Sequence, residues 1–338
     1  METKIFQPDQ IADAARLIQD GQLVAFPTET VYGLGADATN PQAVGQVYQA
    51  KGRPSDNPLI VHVSSPAMVA QYAAVIPEKA QQLMDQFWPG SLTIILPIKS
   101  GALDPVVTGG LDTVAFRLPD NQVTIDLINQ AGVPIVGPSA NTSGKPSPTT
   151  AQHVYHDLKG KIAGIVDDGP TRVGLESTVI DLWTDHPAIL RPGVVTKAAI
   201  EAVIGSLTVD HHQVKDNETP KAPGMKYKHY APNAQVLMVN DDDWDQVKDQ
   251  LVVGSTGVLA TDEHLNQLNL DQSIPTFSLG NDVQSASAHL FAGLRWFDDQ
   301  PAITTIYAQT FPNQGVGEAY MNRLNKSAGG QFFHGMAK

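Results

Sequence analysis

The stretch Lys51-Gly-Arg-Pro-Ser-Asp-Asn-Pro-Leu-Ile-Val-His62 narrows the fold more than any other part of the chain. Ala43, Val44, Val47 and Tyr48 recur at helical spacing, so the helix opened by Pro41 runs into Lys51. Two cations then stand one residue apart, Lys51 and Arg53, and two prolines with Asn57 hold a short connector. Leu59, Ile60, Val61 and Val63 read as a buried strand that carries His62. A helix passed directly into a core strand belongs to an α/β protein, and a cationic loop braced between them suits the grip of a polyanion.

The same grammar repeats along the chain. Helices are expected over 8–20, 66–74, 77–86, 121–131, 196–204, 244–252, 282–297 and 317–328, and from Thr149 as a cap through Leu158. Strands are expected at 23–26, 92–98, 113–118, 133–136, 162–166, 177–183 and 188–190, the last two paired antiparallel through a short turn. Strands at 236–239, 258–260, 275–279 and 304–308 alternate with helices, which predicts a small open parallel sheet. Polar, aperiodic sequence separates the two regions. The division is a first domain over 1–207, a linker over 208–233 and a smaller α/β domain over 234–338.

Composition removes several chemistries. The 338 residues contain no cysteine, which excludes disulfides, thiolate nucleophiles and cysteine-ligated metals. A formal net charge of −13 argues against a broad nucleic-acid face. With neither a signal peptide nor a spanning apolar run, the expectation is a cytoplasmic protein with no membrane association.

Motifs narrow it further. Gly33-Leu-Gly-Ala-Asp-Ala38 fits a loose dinucleotide pattern, but Pro27 and five further residues separate it from the preceding strand, so a tight glycine turn is the better reading. No P-loop or H-E-x-x-H occurs, and His153 and His156 read as a solvated helix face. Gly137-Pro-Ser-Ala-Asn141 follows a buried strand, as a ligand loop or as a Ser/Asn-capped turn. Arg117 ends an apolar strand, where a guanidinium requires either an anionic ligand or an internal Asp or Glu. Arg191 repeats that arrangement.

Taken in order, Pro27-Thr-Glu-Thr-Val-Tyr-Gly-Leu-Gly35, Lys51-x-Arg53 with Asn57-Pro-Leu, Trp88-Pro-Gly-x-Leu-Thr93, Ser139-Ala-Asn141, Glu176-Ser-Thr-Val179 and Leu190-Arg-Pro-Gly193 resemble YrdC-like proteins. Over its whole length the chain is similar to the long, two-domain form of threonylcarbamoyl-adenylate synthase. Ala222-Pro-Gly-Met-Lys-Tyr-Lys-His-Tyr-Ala-Pro232 matches that form's interdomain linker.

The resemblance implies a twisted mixed sheet with helices and a concave pocket, followed by the linker and a Rossmann-like domain. It implies the joining of L-threonine, bicarbonate or carbon dioxide, and ATP, with Mg²⁺ arriving on ATP and no organic cofactor. The product would pass to a transferase that modifies tRNA. The rival reading is an RNA-binding or ribosome-assembly module of the same fold, against which the acidic balance weighs. Lys51, Arg53, Ser139 and Asn141 would be catalytic. Thr30, His62, Arg117, Gly137 and Ser177 would line the threonine pocket, with His62 either a general base or an orienting group. Arg53, Asn57, Thr113, Ser139, Ser147, Arg191 and Tyr230 would contact the nucleotide. Tyr230 lies on the linker, which would then close as a lid.

Overall fold

The computed structural model describes residues 2–55, 57–184, 186–209, 220–221 and 229–336. Most of the expected linker lies outside the described residues. The chain forms two compact units. The first is Met1–Ser143, Pro148–Arg172 and Glu176–Tyr227, and the second is Gly144–Ser147, Val173–Leu175 and Lys228–Lys338.

In the first unit the strands Lys4–Phe6 (β1), Val24–Phe26 (β2), Gly33–Asp37 (β3), Ile60–His62 (β4), Leu92–Pro97 (β5) and Thr113–Arg117 (β6) come first. Ile135–Val136 (β7), Gly164–Val166 (β8), Thr178–Asp181 (β9), Ala188–Arg191 (β10) and Thr208–Val209 (β11) complete one mixed sheet. Its order is β1-β8-β2-β3-β7-β4-β6-β5-β9-β10-β11. The expected antiparallel pairing of β9 with β10 is present.

Helix Pro41–Lys51 begins where Asn40 accepts the amides of Gln42 and Ala43, and stops at Gly52, whose φ of 63° is left-handed. Helix Ala151–Leu158 is capped by Thr150, not by Thr149 as expected; the Thr150 side chain accepts from the His153 amide. One-turn helix Pro105–Thr108 and helix Asp262–Leu268 were not legible, the first for its length and the second for lack of an apolar stripe.

The expected glycine turn is a strand instead. Gly33–Asp37 pairs antiparallel with β2 and β7. A Cβ at Gly33 would stand 2.6 Å from the Phe26 ring, and one at Gly35 would stand 2.6 Å from the Val24 carbonyl. Close approach of neighbouring backbone and ring, not turning, is what requires glycine here.

Side chains alternate across the sheet, which sorts its residues by face. Val61, Ile94, Leu96, Val114, Phe116, Ile180 and Ile189 enter the main core. Ile60, Ile95, Ala115, Val179 and Leu190 form a small apolar floor on the other face. His62, Thr93, Arg117 and Ser177 share the parity of that floor. β10 carries a bulge between Ile189 and Arg191, so that Ile189 opposes Ile180 while Arg191 opposes Val179. Leu190 is the extra residue. It turns Arg191 onto the floor side, where strict alternation would have sent it to the core.

The second unit is built on Gln235–Val239 (β12), Thr256–Ala260 (β13), Thr276–Ser278 (β14), Thr305–Gln309 (β15), Gln331–Phe332 (β16) and Gly335–Met336 (β17). The order is β14-β13-β15-β12-β16-β17, parallel except for the final pair. The chain steps outward from β12 to β14 and returns through β15 to β16. Right-handed crossovers therefore place helices on both faces, a Rossmann-like arrangement.

Helix Val283–Asp298 buries Ala286, Leu290, Gly293, Leu294 and Phe297, the stripe expected from its spacing. The same helix holds the short segments that precede it in sequence. Arg295 donates to the Pro146 carbonyl from Nη2 at 2.6 Å and from Nε at 3.1 Å, and Gly174 lies flat against Ala288. Among the described residues no helix is long and apolar enough to cross a membrane.

Candidate active site

β4 and β6 run parallel with His62 opposite Arg117, so the imidazole and the guanidinium emerge side by side. Both are almost wholly buried. Arg117 satisfies the alternative left open by the sequence with an internal acid. Its Nη2 donates to Glu29 Oε1 at 2.6 Å, Nη1 to Thr30 Oγ1 at 2.8 Å, and Nε to the Gly90 carbonyl at 3.2 Å. A guanidinium carries five N–H groups. Among the described residues, one N–H on each terminal nitrogen takes no partner.

His62 packs edge-on against Phe26, with ring centroids 5.1 Å apart. Its Nδ1 is buried and has no partner among the described residues. Gly137 explains part of that geometry: a Cβ there would stand 2.6 Å from His62 Nδ1 and 2.6 Å from Phe26 Cζ, so no other residue fits. Burial first, and the Arg117 charge second, hold the imidazole well below its ordinary pKa. It is therefore neutral near pH 7, able to accept a hydrogen bond or a proton.

That shift has a consequence for stability. Below about pH 6.5 the unfolded chain binds a proton that folded His62 refuses. Stability from this group is fully present above pH 6.5 and falls as the pH drops toward the native pKa. His62→Gln is expected to flatten the acid limb between pH 7 and 5 by up to about 1.4 kcal/mol per pH unit, read from denaturant titrations. Identical slopes in the two proteins would contradict a neutral buried imidazole.

Two strands away, Ser177 Oγ meets Thr93 Oγ1 at 2.7 Å, and Arg191 donates to the Ser177 carbonyl at 3.0 Å and to its hydroxyl at 3.2 Å. Thr93 precedes Ile94, which pairs with Phe116, and so stands beside Arg117. Ser177 and Arg191 thus continue the same face. Thr113 begins β6 with the parity of Ala115 and Arg117 and is partly exposed.

The cationic connector is more tightly tied than its sequence implied. The Tyr48 hydroxyl lies 3.1 Å from the Asn57 carbonyl, and Arg53 Nη2 donates to the carbonyls of Asn57 and Pro58 at 3.3 Å each. The Asn57 amide is 1% exposed, yet neither its oxygen nor its nitrogen has a partner among the described residues. Leaving two buried polar atoms unmet costs about 1–3 kcal/mol each.

Lys51 is 2% exposed, and its ammonium donates to the Ser139 carbonyl, to the Asn141 carbonyl at 2.7 Å and to Asn141 Oδ1 at 3.3 Å. Ser139 Oγ donates to the same Oδ1 at 2.5 Å. The Lys51 carbonyl accepts the Ser143 amide, and the Ala140 amide donates to Tyr32. The Ser139–Asn141 loop is thereby laced both to the end of the helix and to the loop before β3.

Thr30, His62, Arg117 and Gly137 are brought together, as are Ser177 and Arg191, and Lys51 joins Ser139 and Asn141. Ser147 and Tyr230 belong to the second unit, where the Ser147 carbonyl accepts from Arg295 and the Tyr230 ring lies 5.0 Å from that of Phe291. Sequence reasoning missed Glu29, Ser91 and Thr93. The one available signal was an acid inside Thr28-Glu-Thr30, ahead of any strand able to bury it.

Such a face, on an 11-stranded mixed sheet followed in sequence by a parallel-sheet unit, defines a two-domain α/β protein. Residues 16–193 match the Sua5, YciO and YrdC family model, described as telomere recombination. Residues 195–329 match the C-terminal domain of threonylcarbamoyl-AMP synthase. The chain belongs to the threonylcarbamoyl-AMP synthase family, in its two-domain form.

The threonylcarbamoyl-AMP synthase of Bacillus subtilis is 49% identical over 95% of this chain and 94% of its own length. That of Schizosaccharomyces pombe is 38% identical over 94% and 88%. The crystal structure of Pyrococcus abyssi Sua5 complexed with L-threonine superposes with a TM-score of 0.89 at 41% identity, covering 97% of this chain and 98% of that one.

Proposed function

We propose that the chain condenses L-threonine, bicarbonate or carbon dioxide, and ATP into threonylcarbamoyl-AMP and pyrophosphate, a nucleotidyl transfer. The observation that carries this reading is the sheet face itself. It sets two unspent Arg117 donors beside a neutral imidazole, with a second buried arginine three strands away.

The threonine amine adds to the one-carbon substrate to give a carbamate, with loss of a proton when that substrate is carbon dioxide and of water when it is bicarbonate. A carbamate oxygen then attacks the α-phosphorus, and pyrophosphate leaves. Arg117 receives the threonine carboxylate; Thr30, Ser177 and the Gly137 backbone border it, and His62 orients the amine or takes its proton. Arg53, Asn57, Thr113, Ser139 and Arg191 serve the nucleotide. Chemistry of this kind depends on alignment and on neutralising phosphate charge.

Mg²⁺ enters on the ATP phosphates; among the described residues no three acidic or imidazole side chains are grouped to hold a metal alone. The product, a mixed anhydride, then supplies a transferase acting on tRNA. Pyrophosphate is expected only when threonine, bicarbonate and ATP are all present. Release at a comparable rate without threonine would sink the proposal.

A further inference from the structure

Resting on the reading that Arg117 receives the threonine carboxylate, we propose that Glu29 is a positioning residue that sets how tightly threonine is held. Glu29 is 4% exposed. Its Oε1 accepts Arg117 Nη2 at 2.6 Å and Ser91 Oγ at 2.8 Å, and its Oε2 accepts the Asp120 amide at 3.1 Å.

Those donors come from three places: the turn after Trp88, the end of β6, and the loop beyond it. Glu29 is the point at which they meet. Arg117 is fixed in the same way, with Gly90 and Thr30 on its other two nitrogens. The guanidinium plane is therefore set by contacts within the protein, one on each of its three nitrogens.

The carboxylate also balances the Arg117 charge inside the protein. An incoming carboxylate then meets a paired guanidinium, and recognition depends on the aim of the two donors more than on net attraction. Losing that aim is expected to appear as lost threonine affinity, while the nucleotide side is left intact.

Glu29→Gln keeps size but removes the negative charge, and either way its amide turns an N–H is set against a donor, Arg117 Nη2 or the Asp120 amide. In pyrophosphate-release assays with the full chain, it is expected to raise the threonine KM about 10- to 100-fold while the ATP KM stays within about twofold. Glu29→Asp, which restores the charge, is expected to recover part of the difference. An unchanged threonine KM, or both KM values rising together, overturns the proposal.

If Glu29→Gln does not fold, Ser91→Ala removes one of the groups that hold the carboxylate, and a threonine-selective KM increase of about threefold or more is expected. No such increase overturns the proposal. Arg117→Ala separates the two claims. If it keeps the wild-type threonine KM, the underlying reading has failed. If it loses threonine while Glu29→Gln does not, only the role of Glu29 has failed.

Discussion

Replacing Arg117 by alanine is expected to raise the threonine concentration for half-maximal turnover at least about a hundredfold while ATP affinity changes less than about threefold. The size follows from the contacts. A carboxylate across the two unspent donors gains two charge-assisted hydrogen bonds, each worth about 1.5–3 kcal/mol. Losing at least about 3 kcal/mol is two factors of ten. Calorimetry with ATP alone and with threonine alone separates the effects.

The substitution also strands Glu29, whose side chain is only 3% exposed, beside Ser91 and the Asp120 amide. Removing one partner of a buried pair costs about 3–5 kcal/mol, a large share of the roughly 5–15 kcal/mol of a typical domain. The variant is therefore assayed well below its unfolding temperature. Equal loss of both substrates in folded protein would make Arg117 structural.

Lys51→Met is expected to lower kcat/KM for ATP about 10²- to 10³-fold and to destabilise the first unit. Methionine matches the length of lysine but donates nothing to Ser139 or Asn141. Two buried carbonyls and an amide oxygen then lose a cationic donor, at about 1.5–3 kcal/mol for each bond. The cationic sequence pair suited the grip of a polyanion, and in the structure the Lys51 ammonium is engaged with loop oxygens. Hydrogen exchange without nucleotide distinguishes the two roles. A bracing role predicts faster exchange over 139–143, while a purely phosphate-binding role predicts no change there and an unaltered melting temperature.

Much of this architecture was legible because local pattern and tertiary role coincide. Leu59–Val63 is apolar on both sides of one imidazole and could only be a core strand. Val283–Asp298 announces its buried stripe at helical spacing. Failures arose where the reason for a residue lies on another strand or loop. Gly33 and Gly35 read as a turn because the ring that needs their missing side chains is on another strand. Glu29 and Arg117 lie 88 residues apart, and no periodicity links them. The requirement that Arg117 be paired was readable, but the identity of its partner was not.

The extra residue in β10 bears on how such sequences diverge. Arg191 faces the floor because Leu190 is left over in the pairing with β9. Side chain 190 can change identity at the cost of packing alone, but the number of residues between Ile189 and Arg191 cannot change without sending the guanidinium through the sheet. At that point the strand is thus free to vary in spelling and fixed in length, so that a deletion in β10 would carry Arg191 away from Ser177.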